Sequence, residues 1–247
     1  MAKNGIAVKF ESVYKRFDEL QVLTGMDLDV RWGEVTTILG PSGCGKSVTL
    51  KHIIGIEQAD HGRVTVDGHD MNSIRNRDLK ALRKRIGVLF QSAALFDSMN
   101  VKENVAFGLR MHTRMTEKEI EERVGVCLGA VRLAGAEQTM PVELSGGMRK
   151  RAALARAIAM SPDFILYDEP TTGLDPGTAA VVGDYILKLQ NELDVTSVVV
   201  THDLPLARRI SDRIALLYNG ETAIQGTPEE IERSGNDVYD LFVQGKI

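Results

Sequence analysis

The chain has 247 residues and a formal net charge of −4 at pH 7, and 43% of its residues are hydrophobic, 26% charged and 5% aromatic. This composition is too apolar for a disordered chain and not apolar enough for a membrane-embedded one. The length suits one α/β domain with a sizeable core. The negative charge argues against a general nucleic-acid-binding protein, which would carry a basic surface.

The sequence predicts neither a membrane-spanning segment nor an export signal. The longest stretches without Asp, Glu, Lys or Arg have eleven residues, Val35–Gly45 and Ile86–Phe96, whereas a bilayer-spanning helix needs about 18. The N-terminal segment Met1–Ile6 has no apolar signal core. The two cysteines, Cys44 and Cys127, have no metal-ligand spacing. These features predict a reducing, cytosolic environment.

Apolar runs predict buried strands at Val35–Leu39, Phe164–Tyr167 and Ser197–Val200, because strands buried on both faces are continuously apolar. Arg63–Asp67 alternates instead, which indicates a half-exposed strand in a smaller antiparallel layer. The segment at residues 9–30 has strand character and is expected to join that layer.

Apolar stripes at helical spacing predict helices between these runs. Thr116 and Glu119 form a capping-box pattern at the start of one such stripe, which is listed as Ile120, Val124, Cys127 and Val131. A second stripe consists of Val182, Ile186, Leu189 and Leu193. Thr227–Glu230 supplies a cap, a proline and an acidic residue for a last helix.

The segment Gly40-Pro41-Ser42-Gly43-Cys44-Gly45-Lys46-Ser47 matches the pattern G-x-x-x-x-G-K-[ST] and is followed by a helical segment. An apolar strand precedes it, which is the context that a phosphate-binding loop (P-loop) requires. Glycines let backbone N–H groups surround phosphates, and the helix N-terminus adds positive charge. Lys46 is expected to reach the β- and γ-phosphates of ATP, and Ser47 to bind Mg²⁺. Val48, directly after the loop, is also expected to be among the nucleotide-binding residues. Cys44 is expected to be a small filling residue.

A second apolar strand, Phe164–Tyr167, ends in Asp168 and Glu169. Because a P-loop precedes this strand in the sequence, Asp168 is expected to lie on the Mg²⁺ side of the nucleotide site. Glu169 is then placed to polarise the attacking water.

Leu144-Ser145-Gly146-Gly147 opens a helix predicted over residues 148–160. Ser145 can cap this helix, and the glycines permit close approach of a phosphate to its N-terminus. Taken alone, the motif is equally compatible with an ordinary N-cap. The basic run Arg149–Arg151 adjoins it, whereas the run Lys80–Arg85 is expected to be a solvated helix face.

Along essentially its whole length the chain resembles the nucleotide-binding subunits of ABC transporters. The order of motifs in that family is P-loop, Q-loop, LSGG motif, Walker B strand, D-loop and H-loop. The corresponding segments here are Gly40–Ser47, Gln91, Leu144–Gly147, Phe164–Glu169, Gly173–Asp175 and His202.

The resemblance implies a P-loop ABC-type α/β fold that forms one domain over residues 1–247. This domain would have a RecA-like core, a small antiparallel β-layer, and an α-helical subdomain inserted in the core at about residues 92–160. The same resemblance implies that Gln91 senses Mg²⁺ and the attacking water, and that His202 contacts the γ-phosphate. Phe17 occupies the place of an adenine-stacking aromatic residue, although Tyr14 is nearby and core packing is an alternative reading.

The resemblance also implies a homodimer. Ser145, Gly146 and Gly147 of one protomer would close on the γ-phosphate held by the other, with Asp175 at the interface. The helical subdomain would dock a permease, and Phe96–Phe107 would line the coupling surface. ATP and Mg²⁺ are the expected ligands, and membrane contact would occur only through partners, on the cytoplasmic face of the inner membrane.

Two segments narrow the resemblance. Met148 stands where many members of the ABC family have Gln. The ATPases of Mla-type phospholipid transport systems are similar to this chain in two segments, Leu89–Val101 and Leu144–Pro176. Those ATPases work with a permease, MCE-domain proteins and accessory subunits. Three alternatives remain: an importer ATPase for another solute, an ABC ATPase acting on nucleic acid or ribosomes, and a small-molecule kinase.

Overall fold

A computed structural model describes residues 4–247 and divides the chain into two compact units. The first unit contains the described part of Met1–Lys80 together with Thr196–Ile247, and the second is Ala81–Val195. Met1, Ala2 and Lys3, half of the segment in which no export signal is expected, lie outside the described residues. No helix within residues 4–247 combines the length and apolarity needed to cross a membrane.

The elements of the N-terminal part of the first unit are β1 (Ile6–Phe17), β2 (Leu20–Arg31), β3 (Val35–Leu39), α1 (Lys46–Ile53), β4 (His61–Val66), β5 (His69–Asp70) and α2 (Asn76–Arg83), the last of which runs into the second unit. Those of the second unit are β6 (Ile86–Leu89), α3 (Val101–His112), α4 (Glu117–Ala130), a 3₁₀ turn (Pro141–Glu143), α5 (Gly146–Ile158), β7 (Phe164–Asp168) and α6 (Pro176–Leu193). The chain returns to the first unit with β8 (Thr196–Thr201), α7 (Leu204–Ile210), β9 (Arg213–Tyr218), β10 (Glu221–Gly226), α8 (Pro228–Glu232) and α9 (Asp237–Val243).

The antiparallel layer predicted from residues 9–30 and Arg63–Asp67 is confirmed. It has the strand order β2-β1-β4-β5. In β4, Val64 and Val66 are buried and Arg63 is exposed, so the alternation in the sequence corresponds to the two faces of the strand.

A second sheet in the same unit brings together strands that are distant in the sequence. β3 lies between β8 and β9 and is parallel to both, and β10 pairs antiparallel with β9. All five residues of β3 and all six of β8 are buried, as their apolar runs predict. Leu39, Leu216, Ile231 and Tyr239 belong to one hydrophobic cluster, so helices α8 and α9 cover β9 and β10.

The second unit combines one parallel strand pair with helices. β6 and β7 pair with Leu89 opposite Tyr167, and α5 packs on β6. Helices α3 and α4 pack on α5. Ile120, Val124 and Cys127 of the predicted stripe are buried. The α/β fold expected from the sequence is therefore confirmed, while the treatment of residues 92–160 as an inserted subdomain stays a prediction.

Helix ends agree with the capping signals, with small corrections. Thr116 and Thr227 each form the predicted capping box. Helix α5 spans Gly146–Ile158 rather than residues 148–160, because Ser145 itself caps it. The helix at Thr227 is not the last: α9 follows, capped by Asn236. A seven-residue helix has only about two turns, which is too short for an apolar stripe to repeat clearly.

Candidate functional site

The P-loop joins the carboxyl end of β3 to the first turn of α1. Gly45 is the N-cap of α1 and has φ = +107°, a conformation that an L side chain rarely adopts. A Cβ at this position would lie 2.8 Å from Leu23 Cδ2. Glycine is therefore required where the loop turns into the helix and packs against β2.

Lys46 is held by the loop that precedes it. Its Nζ donates hydrogen bonds to the carbonyl oxygens of Gly40 at 2.8 Å and Pro41 at 2.9 Å, and the residue is only 6% exposed. Ser47 follows in the first turn of α1 and is exposed. A lysine charge and a hydroxyl group thus stand at a helix N-terminus, where phosphate oxygens and a cation can be bound.

A cavity of about 350 Å³ adjoins this loop. Its lining residues come from β2, the P-loop and the β9–β10 turn, and they are Gln21, Val22, Pro41, Ser42, Gly43, Cys44, Asn219 and Gly220. Thr24 fixes the turn to β2, because its N donates to Gly220 O at 3.0 Å and its Oγ1 to Asn219 O at 2.7 Å. The P-loop is therefore one wall of a defined depression.

His202 is brought beside the P-loop by strand pairing. Leu39 of β3 lies opposite Thr201 of β8, and Gly40 N donates to Thr201 O at 3.3 Å. His202 follows directly and is exposed. The parallel register thus brings together two motifs about 160 residues apart in the sequence.

Phe17 ends β1 and is 37% exposed. Lys15 Nζ lies 5.1 Å from the centroid of its ring. Phe17 does not line the P-loop cavity, but the neighbouring strand pair Arg16–Gln21 places it next to a residue that does. Tyr14 packs edge-to-face on His61, with centroids 6.4 Å apart, within the antiparallel layer. Of these two aromatic residues, Phe17 is nearer in register to the cavity.

In the second unit, the register of β6 and β7 places Gln91, Asp168 and Glu169 at the same end of the strand pair. Glu169 is 8% exposed and has φ = +46°, in the left-handed region. Thr172 Oγ1 donates to Glu169 Oε2 at 3.2 Å, and Thr172 N donates to Glu169 O at 3.3 Å. The backbone and carboxylate of Glu169 are therefore both held by hydrogen bonds.

The LSGG motif forms the N-terminus of α5. Ser145 Oγ accepts a hydrogen bond from Met148 N at 3.2 Å, which confirms the predicted cap. Ser145 and Gly146 are exposed. A Cβ on Gly147 would lie 2.7 Å from Thr178 Cγ2, so this glycine permits close packing of α5 against α6.

Asp175 has a role that its motif did not suggest. It caps α6: Oδ1 accepts from Thr178 N at 3.0 Å and Oδ2 from Thr178 Oγ1 at 2.6 Å. These hydrogen bonds, from the side chain first and the backbone second, lower the pKa of Asp175. The carboxylate is thus ionised and fixed at neutral pH.

Sequence reasoning missed three side chains in the second unit that hold the segment after Gln91. These are Lys150, Arg156 and Asn104, each of which bonds to backbone carbonyls of residues 91–100. Only the adjacency of Lys150 to the LSGG motif gave a signal. A hydrogen bond to a backbone carbonyl requires no particular residue type at the accepting position, so it leaves no pattern in the sequence there.

The structure thus gathers the P-loop and His202 in the first unit. It gathers Gln91, Asp168, Glu169, Lys150 and the LSGG motif in the second. The model of the ABC transporter family matches residues 23–172, more than half of the chain. The chain belongs to the ABC transporter family.

Relatives and solved structures agree with this assignment. The ABC chain is 42% identical over 246 residues to the intermembrane phospholipid transport system ATP-binding protein MlaF of Haemophilus influenzae, covering 100% of this chain and 92% of MlaF. It is 40% identical over 242 residues to the probable ribonucleotide transport ATP-binding protein mkl of Mycobacterium leprae, covering 98% of this chain and 70% of the relative. The dimeric ATP-binding cassette MJ0796, in a post-hydrolysis state with ADP and Pi, superimposes with a TM-score of 0.81 at 34% identity, covering 89% of this chain and 98% of the other. The ABC chain is accordingly an ATPase.

The residues expected to bind Mg²⁺ offer suitable chemistry. Ser47 supplies a hydroxyl oxygen, Gln91 an amide oxygen and Asp168 a carboxylate. These hard oxygen donors are what Mg²⁺ prefers, together with phosphate oxygens and water. Within residues 4–247 no group of three or more His, Cys, Asp and Glu side chains could hold a metal ion by itself.

Proposed function

We propose that this ABC ATPase drives phospholipid transport between membranes, together with a permease and an MCE-domain partner. The ATPase would act as a homodimer on the cytoplasmic face of the inner membrane. The observation that carries the proposal is the match to MlaF across the whole chain. The aligned region spans the whole chain and therefore covers the two segments that narrow the resemblance, the one after Gln91 and the LSGG helix with Met148.

The proposed chemistry assigns each motif one task. Lys46 and the N–H groups of Gly40–Ser47, with Val48 behind them, bind the phosphates of ATP, and Phe17 stacks on adenine. Glu169 orients and polarises the attacking water, while His202 contacts the γ-phosphate. Mg²⁺, held by Ser47, Gln91 and Asp168, would neutralise phosphate charge. Phosphoryl transfer depends mainly on positioning and electrostatic stabilisation, so this polar set suffices without covalent catalysis.

Dimerisation supplies the remaining phosphate contacts in this proposal. The exposed Ser145 and Gly146 at the N-terminus of α5 can approach a phosphate held by a second protomer. Asp175 is fixed at the start of α6, and Leu174 beside it lies within 3.6 Å of a Cβ built on Gly146. The LSGG motif and the D-loop therefore form one continuous surface for the partner copy.

The permease is proposed to dock on helix α3. A cavity of about 400 Å³ there is lined by Ser98, Met99, Glu103, Phe107, Arg110 and Met111. The rings of Phe96 and Phe107 lie 4.8 Å apart, and both side chains are exposed. An exposed aromatic pair beside an apolar cavity is suited to receive a partner helix.

The test is reconstitution with the proteins encoded beside this chain. We expect the chain to co-purify with a permease that carries phospholipid, identified by mass spectrometry. In vesicles, ATP should move a fluorescent phospholipid between membranes, and a complex carrying Glu169→Gln should not. ATP-independent transfer, or a complex that moves no lipid while hydrolysing ATP, would contradict the proposal.

A second candidate is an importer ATPase for another solute, favoured by the similarity to mkl, whose name describes ribonucleotide transport. The same vesicles decide between them. Loaded with a labelled ribonucleotide instead of phospholipid, they would show ATP-dependent uptake under this alternative. Co-purified RNA or DNA would favour a nucleic-acid-directed ATPase.

A further inference from the structure

Lys150 is a buried lysine in the second turn of the LSGG helix, and the chemistry proposed above does not use it. It is 5% exposed. Its Nζ donates hydrogen bonds to Gln91 O at 2.6 Å and to Glu169 O at 3.3 Å. One ammonium group therefore contacts the backbone of the Q-loop residue and that of the proposed catalytic carboxylate. Lysine is rarely buried without such partners.

The burial of Lys150 has a cost that its surroundings partly offset. Burial lowers the pKa of Lys150, whereas the nearby charges of Asp168 and Glu169 raise it. An apolar residue such as Met would fill the space without this desolvation cost. A lysine at this position is therefore best explained by what its ammonium group holds.

At one end, Lys150 supports a strained backbone. Glu169 has φ = +46°, a region that non-glycine residues adopt only when their surroundings over-determine it. Glu169 O accepts hydrogen bonds from both Lys150 Nζ and Thr172 N. The position of the Glu169 carboxylate depends on this backbone conformation, and hence on the donors to its carbonyl.

At the other end, the same helix holds the Q-loop at a second point. Ala93 and Ala94 have φ = +64° and +46°, and Arg156 of α5 donates to their carbonyl oxygens at 2.9 and 2.6 Å. Arg156 thereby holds the loop after Gln91 without contacting Glu169 O. Of Lys150 and Arg156, only Lys150 connects the Q-loop to Glu169, the residue that follows β7.

We propose that Lys150 is a positioning residue for ATP hydrolysis, which fixes the backbones of Gln91 and Glu169 to the helix that carries the LSGG motif. The proposal rests on the proposed roles of those two residues. A nucleotide that binds at the N-terminus of α5 and shifts this helix would then shift the backbones of Gln91 and Glu169 as well, through the Lys150 side chain. Lys150 is one and a half turns from Ser145, so the path is a single rigid helix segment.

The test separates nucleotide binding from hydrolysis in Lys150→Met. Both hydrogen bonds described for Lys150 are made within the second unit, to Gln91 and Glu169, so the Kd for ATP should stay within about twofold of wild type. The single-turnover hydrolysis rate should fall by at least about tenfold, which corresponds to the loss of about 1.4 kcal/mol of transition-state stabilisation. Lys150→Arg, which keeps a buried cation, should recover part of that rate. A purely structural role predicts instead that binding and hydrolysis fall together with the melting temperature.

Arg151→Met is the matched control. It removes the next cation on α5, whose Nη1 donates at 2.7 Å to Arg132 O, remote in sequence from Gln91 and Glu169. We expect it to hydrolyse ATP at nearly the wild-type rate. If Lys150→Met hydrolyses ATP as fast as wild type, the proposal is overturned. If that variant does not fold, Lys150→Gln decides, because a wild-type rate there overturns the proposal and a selective loss of hydrolysis supports it.

Glu169→Gln is measured in parallel, because it tests the proposed role of Glu169 independently of the proposed role of Lys150. Normal turnover in Glu169→Gln would remove the role of Glu169 itself, whatever Lys150 does. A slow Glu169→Gln with a fully active Lys150→Met would leave the site intact and remove only the role of Lys150.

Discussion

Asn104 forms two reciprocal hydrogen bonds with the backbone of Phe96: its Oδ1 accepts from Phe96 N at 2.8 Å, and its Nδ2 donates to Phe96 O at 3.1 Å. The same Nδ2 also donates to the carbonyl oxygens of Met99 at 2.9 Å and Asn100 at 3.1 Å. A single buried amide of α3 thus holds the loop that carries the proposed permease-docking surface.

We predict that Asn104→Leu destabilises the protein. Leucine has a similar volume but leaves the Phe96 N–H and several carbonyls without their partner, so the free energy of unfolding should fall by about 2–3 kcal/mol. Urea unfolding measures this directly. Gln138→Leu is the control, because that amide is exposed and its Oε1 accepts a hydrogen bond from the Asn100 side chain, not from the backbone of the loop. Equal, small effects of the two substitutions would show that Asn104 does not hold the loop.

Glu169→Gln should bind ATP and dimerise but turn it over at least about a hundredfold more slowly, because it loses a general base. The shape of the side chain is kept, and glutamine can still accept the bond from Thr172 Oγ1. Steady-state phosphate release and gel filtration with ATP measure the two effects. Glu122→Gln, an exposed acidic residue on α4, should behave as wild type. Near-normal turnover in Glu169→Gln would remove its proposed role.

Lys46→Ala should weaken ATP binding by roughly tenfold to a hundredfold, because hydrogen bonds to charged groups contribute about 1.5–3 kcal/mol. Equilibrium titration with a fluorescent ATP analogue measures the Kd. Lys51→Ala, on the exposed side of the same helix, is the matched control. An ATP titration unchanged by Lys46→Ala would count against the P-loop assignment. Melting curves should accompany both, since Lys46 also bonds to Gly40 O and Pro41 O.

The sequence predicted those parts of the fold whose signals are local. Continuous apolar runs located β3, β7 and β8, and the capping boxes at Thr116 and Thr227 located two helix starts. Asn100 and Glu103 carry a further local signal of this kind, because they form a capping box at the start of α3. The P-loop and LSGG motif could be placed because their spacing is fixed by backbone geometry around phosphates.

The contacts that support the site could not be predicted in this way. The side chains of three residues donate hydrogen bonds to backbone carbonyls, namely those of Lys150, Arg156 and Asn104. Because every residue has a carbonyl, the residue type at the accepting position does not reveal such a contact. The left-handed Ala93 and Ala94 are also unexpected, because alanine has no intrinsic preference for positive φ. These features depend on where α3 and α5 lie against the loop after Gln91, which only the structure shows.

His52 provides a prediction about pH. It is 1% exposed, its Nδ1 lies 2.8 Å from Val48 O, and its Nε2 has no hydrogen-bond partner within residues 4–247. Burial lowers the pKa of His52 below its ordinary value of 6.5, and the charge of Lys15 lowers it further, while the Val48 carbonyl, Glu57 and Asp60 oppose this shift. The folded protein therefore keeps His52 neutral at pH values where the unfolded chain protonates it.

The sign of the effect follows from proton uptake. Below pH 6.5 the unfolded state binds a proton that the folded state binds less readily, so this contribution to stability is full above about pH 6.5 and is lost as the pH falls through the folded pKa. Urea unfolding between about pH 7.5 and about pH 5 should show a wild-type slope steeper than that of His52→Gln by up to about 1.4 kcal/mol per pH unit. The exposed His69 supplies the control, since His69→Gln should keep the wild-type slope. Parallel slopes in wild type and His52→Gln would mean that His52 is protonated equally in the folded and unfolded states, and would contradict the prediction.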